Sequence, residues 1–198
     1  MKLFKVLIKT LIFIVGALAS LWIFMPWGEM GEYAVLSAEK TASSRGYNIQ
    51  HSSVSGSWIG PSILINDFAS RMVLAGGEFK TLRLSPSFIQ SLIRFSPVMS
   101  VSFTGGKLSL PGGNDADLGS GRVEISLKNG ILLLNNLRST GELSFDGFAT
   151  ININSARIEN ADIMINSPER IESSLNSMSI MLPLTRESAG QWRLKRDG

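Results

Sequence analysis

The sequence predicts a mainly β protein in which an N-terminal transmembrane helix is followed by a twisted, mostly antiparallel, groove-like sheet covered by two short helices. Three observations predict it. Residues 6–25 form an apolar run in which Lys9 is the one charge, and as a helix they would span about 30 Å, the thickness of a hydrocarbon core. From residue 47 onward apolar and polar residues alternate with the period of half-buried strands, punctuated by glycine-bearing turns. Two Ser-Pro steps, Ser85-Pro86 and Ser167-Pro168, each open a stretch with apolar residues at helical spacing.

The chain divides into residues 1–27, a cytoplasmic N-terminus and anchor; residues 28–46, a membrane-proximal helix; and residues 47–198, a β-rich domain. Lys9 lies near one end of the apolar run, where its stem can carry the ammonium group back to the headgroups, and Trp22 and Trp27 lie toward the other, where indoles favour the interface. Lys2, Lys5 and Lys9 flank the start, and Glu29 and Glu32 are the first charges after the run. That asymmetry places the N-terminus in the cytoplasm and the body outside. The competing reading is a signal peptide cleaved after Ala17-Leu18-Ala19. Cleavage there would leave the apolar residues Leu21 to Met25 at an exposed terminus, which favours a retained anchor.

Met30, Tyr33, Ala34, Leu36, Ala38 and Ala42 recur at near-helical spacing, and Gly46 follows as a stop. Tyr47, Ile49 and His51 then alternate with polar residues, Ser55-Gly56-Ser57 reads as a turn, and residues 62–66 resume an extended run: a hairpin. A second extended unit covers residues 71–84, broken by Gly76-Gly77. Ser85-Pro86 supplies an N-cap and a first-turn proline for a helix whose face of Phe88, Ile89, Leu92 and Ile93 is expected against a sheet.

Met99, Val101 and Phe103 alternate with serines and Thr104, Gly105-Gly106 reads as a turn, and Leu108 and Leu110 alternate on the return: a hairpin with one dry face. Residues 111–121 (PGGNDADLGSG) read as loop by composition. Hairpins follow with turns at Asn129-Gly130 and Asp146-Gly147, and Asn154-Ser155 leads into a strand over residues 157–166. After Ser167-Pro168 the stripe Ile171, Leu175 and Met178 predicts the second helix, and residues 180–184 and 191–196 close the chain as strands.

The net charge of +3 is accounted for by Lys2, Lys5 and Lys9, so the body is formally neutral and nothing electrostatic points to nucleic acid. Without cysteine there is no disulfide, thiol nucleophile or thiolate metal site. His51 is the one histidine, so no His-paired metal site or two-imidazole relay can form, and it reads as a surface or hairpin residue. GGNDADL resembles a calcium-binding nonapeptide, but Asp115 stands where glycine is needed and one copy lacks the stacked neighbours that complete such sites. Residues 119–122 (GSGR) lack the GK[ST] of a phosphate loop. The carboxylates are scattered, and a periplasmic hydrolase would need a Ser-Lys pair that abundant serine does not specify. No catalytic, cofactor or metal residue is assigned, and the expectation is a protein that is not an enzyme. The candidate positions are an apolar groove built from Met99, Val101, Phe103, Leu108 and Leu110, and a partner surface at Trp58 and Trp192.

The order of parts resembles the AsmA-like proteins of the bacterial envelope and, more narrowly, the protein N family of the type II (general) secretion pathway. The residues that carry the resemblance are the anchor ending in MPW, the helix through EKTASSRGY, SVSGSWIGPSILINDF, LRLSPSFIQSLI leading to VSFTGGKLSL, and the closing MLPLTRESAGQWRLKRDG. The resemblance implies a single-pass protein of the bacterial inner membrane with a periplasmic domain, no catalytic residues or cofactor, and a role in secretion-machine assembly. Its alternative is an AsmA-like module that binds or transfers lipid through an apolar groove. The implied partners are the inner membrane and secretion proteins or phospholipid.

Overall fold

The computed structural model describes residues 9–10, 12–17, 20, 24–44, 46, 48–57, 62–71, 76–155 and 157–197. The described residues from Lys9 to Phe24 are helical, and Phe13, Val15 and Phe24 are exposed. No helix among the described residues is long and apolar enough to cross a membrane. The span expected over residues 6–25 falls partly outside the described residues, as do Trp22, Tyr47 and Trp58.

Helix α1 (Trp27–Ser43) follows Pro26, and Gly46 behind it has a φ of +81°. The buried positions of α1 are Gly31 and Val35, while Met30, Tyr33 and Leu36 of its apolar stripe are exposed. The reason is closeness. A Cβ on Gly31 would stand 2.6 Å from Ile63 Cγ2, and one on Gly56 would overlap the backbone of Gly28. Only a glycine-bearing face lets the helix approach the strands beneath it this closely.

Eleven strands form one antiparallel sheet. β1 (Asn48–Gln50) and β2 (Ser53–Ser57) both pair with β3 (Ser62–Arg71), β1 with its C-terminal part and β2 with its N-terminal part. A meander continues through β4 (Gly76–Pro86), β5 (Val98–Leu110), β6 (Asn114–Lys128), β7 (Ile131–Ser139), β8 (Ser144–Asn152) and β9 (Arg157–Asn166). β11 (Gln191–Arg196) pairs with β9, and β10 (Leu184–Ser188) forms the far edge. Helix α2 (Phe88–Arg94) joins β4 to β5, and helix α3 (Glu169–Met178) joins β9 to β10.

Several expected turns are strand interior. Ser55-Gly56-Ser57 belongs to β2, and Gly76-Gly77 opens β4. The hairpin expected at Gly105-Gly106 is a single strand, β5, carrying a bulge there. Gly105 has a φ of +58°, and the register with β6 slips between Phe103 and Lys107. The extra residue resets the pleat, so odd-numbered Val101 and Phe103 and even-numbered Leu108 and Leu110 share one face although no chain reversal separates them. The loop expected over residues 111–121 is a turn at Pro111–Gly113 and then strand, because Ala116 and Leu118 alternate inward between Asp115, Asp117 and Gly119. Asp146-Gly147 lies within β8. The strand expected to begin at Ile180 begins at Leu184, leaving Ile180 and Met181 exposed.

Other elements stand where they were expected. Asn129 and Gly130, with φ of 53° and 75°, make the two-residue turn between β6 and β7. β9 covers residues 157–166, and α3 buries Ile171 and Leu175 and half-buries Met178. The two helices differ in role. α3 covers the sheet, closing a core with Phe103, Leu110, Leu118, Leu143, Trp192 and Leu194. α2 buries nothing.

Candidate functional site

The strand connections sort to two ends of the sheet. At one end lie the paired ends of β2 and β3, α2, the Asn129-Gly130 turn and the Ile153–Ser155 turn, fixed there by the pairs Ser57↔Ser62, Pro86↔Met99, Lys128↔Ile131 and Asn152↔Arg157. α1 starts at this end too, with Gly28 against Gly56. At the opposite end lie the Pro111–Gly113 turn, the Thr140–Leu143 turn and the start of α3.

The groove candidates are brought together on one face. Val101, Phe103 and Leu110 are buried, and Met99 and Leu108 are half-buried. Phe103 stacks edge-on against Phe79 with ring centroids 5.0 Å apart, and it is in the same core cluster as Leu110, with Leu108 packed against that cluster. Trp192, expected at a partner surface, is 3% exposed. It sits under α3 among Leu184, Leu194 and Ile171, with the Arg186 guanidinium 6.0 Å from its ring centroid. Trp58 lies outside the described residues.

Polar side chains clasp α3 from both sides. Arg170 donates to the Asp115 carbonyl at 2.8 Å and pairs with Glu142, whose carboxylate also accepts the Asp117 N–H at 2.9 Å. The Ser174 hydroxyl donates to the Pro111 carbonyl at 2.8 Å and accepts from Asn114 at 3.1 Å. Glu172 accepts from Arg186 and from the Gly190 N–H, each at 2.6 Å. These contacts tie both the β5–β6 turn and the β10–β11 turn to one helix. Glu172, Asn176, Arg186 and Trp192 line a cleft beside it, in which Glu172 and Arg186 form an ion pair.

On the open face, Arg193 grips Asp162 through two parallel hydrogen bonds of 2.8 Å. This fork holds the Asp162 carboxyl below its ordinary range and raises the Arg193 guanidinium. His51 is partly buried, its Nδ1 2.6 Å from Glu39 Oε1. It joins the segment after β1 to α1, a structural position. In the acidic stretch, Asp115 accepts from Ser109 at 2.7 Å and Asp117 from the Gly119 N–H at 2.8 Å. Among the described residues no group of His, Asp or Glu is arranged to hold a metal ion.

A cluster of exposed apolar side chains lies on α2 and the residue that follows it. Ile89, Leu92, Ile93 and Phe95 are 72%, 57%, 72% and 93% exposed. Sequence periodicity marks Phe88, Ile89, Leu92 and Ile93 as one face expected against the sheet, but all four are exposed. The orientation is set by Ser91: its hydroxyl donates to the Ser87 carbonyl at 2.6 Å and accepts the Val98 N–H at 2.9 Å, which pins the polar side of α2 to the sheet.

A family model described as type II secretion system protein GspN-like, Synergistales, matches residues 4–196. No curated protein and no solved structure matches the chain.

Proposed function

The chain belongs to the type II secretion system protein GspN-like family of the Synergistales, and from that premise we propose that it is a membrane-held, non-enzymatic component of a type II secretion machine, acting by contact with other components. The observation that carries this is the extent of the family match, residues 4–196, which takes in the N-terminal apolar segment, α1 and the sheet together. We place the N-terminus in the cytoplasm, residues 6–25 in the bacterial inner membrane and the sheet in the periplasm. Support comes from the lysines before the apolar run and the glutamates after it. Support for a non-enzymatic role comes from the carboxylates around α3, which are spent on Arg170, Arg186 and backbone N–H groups.

The test is genetic, in a host that carries the gene and secretes through the type II machine. Deleting the gene should leave secreted proteins in the periplasm, and the full chain supplied in trans should restore them to the medium. Unchanged secretion in the deletion strain would sink the assignment. A reporter active only in the periplasm, fused after Gly198, should be active; an inactive fusion would reject the orientation.

A further inference from the structure

We infer that the α2 end of the sheet rests on the surface of a phospholipid bilayer, with Ile89, Leu92, Ile93 and Phe95 inserted among the headgroups. The inference builds on the anchored reading above and adds a second, independent membrane contact.

The first observation is that α2 is inside out. Its partly covered positions are Gln90 and Ser91, and Ile89, Leu92 and Ile93 point away from the protein. Phe95 follows in a left-handed conformation, φ 48° and ψ 36°, and is 93% exposed. That backbone state caps α2, with the Phe95 N–H donating to the Leu92 carbonyl, and it leaves the aromatic ring in solvent.

The second observation is that the patch continues along the rim. The Leu127 N–H donates to the Pro97 carbonyl at 3.4 Å, and the Ile153 N–H donates to the Gly130 carbonyl at 3.0 Å, so α2 and the next two turns form one ledge. Leu127 and Ile153 on that ledge are 42% and 49% exposed. Crossing from β4 to β9 at about 4.8 Å per strand, the ledge is roughly 24 Å long.

The third observation is charge. The charged residues on the ledge are Arg94, Lys128 and Arg157, all exposed and all cationic. None of them is within ion-pair distance of a carboxylate among the described residues. Apolar side chains interleaved with unpaired cations are what an interfacial element offers to anionic phospholipid. The opposite end differs: its turns Pro111–Gly113 and Thr140–Leu143 carry the acidic Glu142, and Leu143 is buried.

The fourth observation is continuity. The N-terminal helical residues reach the sheet at this same end, because α1 begins at Trp27 and Gly28 lies against Gly56 of β2. A bilayer holding that segment would face this ledge.

The chain has no cysteine, so single cysteines at Phe13, Ile89 and, at the opposite end, Glu169 can each carry a polarity-sensitive fluorophore in the full-length protein. All three positions are at least partly solvent-accessible, so the fold should tolerate the label. The proteins are reconstituted into vesicles of phosphatidylethanolamine and phosphatidylglycerol, with and without lipids brominated at defined acyl positions. The expected result is loss of emission at Ile89 with bromine close to the headgroups, and no loss at Glu169. Emission at Ile89 that is untouched by bromolipid overturns the inference, including the case of a blue-shifted probe buried against protein or a second copy. The Phe13 probe separates the two readings: loss there with deep bromine supports the anchor, and its absence rejects the anchor whatever Ile89 reports.

Discussion

The ring of Phe103 on β5 occupies the space that a side chain on Gly121, its register partner on β6, would need. The Arg138 carbonyl closes the same space from β7, and a Cβ on Gly106 would meet the ring at 2.9 Å. The largest side chain of the strand is thus seated between two glycines. Gly121→Ala is expected to cost about 1–3 kcal/mol by overpacking, read as a lower midpoint of chemical denaturation. Combining it with Phe103→Leu should give a smaller loss than the two separate losses added together. Strict additivity would show that the ring and the glycine do not compete for space.

The two short helices make opposite predictions. Ile171 is fully buried under α3, so Ile171→Ala should destabilise by about 2–5 kcal/mol. Ile89→Ala on α2 should change stability by no more than about 0.5 kcal/mol. Equal losses in a denaturant titration would mean that α2 packs as α3 does.

Acid should weaken the Asp162–Arg193 fork. The folded pKa of Asp162 is lowered, chiefly by the hydrogen bonds from Arg193. The pair therefore contributes stability above the ordinary aspartate pKa of about 3.9 and loses it as pH falls through the lowered value. Asp162→Asn should be less stable than the native chain at neutral pH, with the gap narrowing on acidification and closing once the native carboxyl is protonated. A gap independent of pH across that range would assign the loss to packing.

Gly56 should be intolerant of any side chain. With the backbone of Gly28 in the way, Gly56→Val is expected to release α1, raising amide exchange in residues 27–43 while β5 to β9 keep their protection. Unchanged exchange in α1 would show that the helix is held elsewhere, for example through Glu39 and His51.

The architecture was legible wherever local chemistry decides a conformation. Asn129-Gly130 allows the left-handed pair that a tight hairpin requires, and Ile171, Leu175 and Met178 mark one side of a helix with nothing to contradict it. Glycine was the main source of error, because it serves three purposes that look alike in sequence. At Gly130 it turns the chain, at Gly105 it resets the pleat of a strand that continues, and at Gly56 it clears room for a helix. Only long-range pairing separates these cases. The same holds for the site. Periodicity shows that Ile89, Leu92 and Ile93 share a face, but the pinning of Ser91 against Val98 decides that the face looks outward. Trp192 was placed outside for want of α3, which brings Glu172 and Ile171 over it.

Gly28 and Gly56 meet main chain to main chain, with no side chain between them to flex or change rotamer. A stiff joint follows at the point where the N-terminal helix meets the sheet. A pull or twist applied along that helix would pass into β2 and β3 without slack, and a load on the sheet would pass back the same way. In a family tied to type II secretion, such a joint would let the domain act as a bracket that holds its orientation under force.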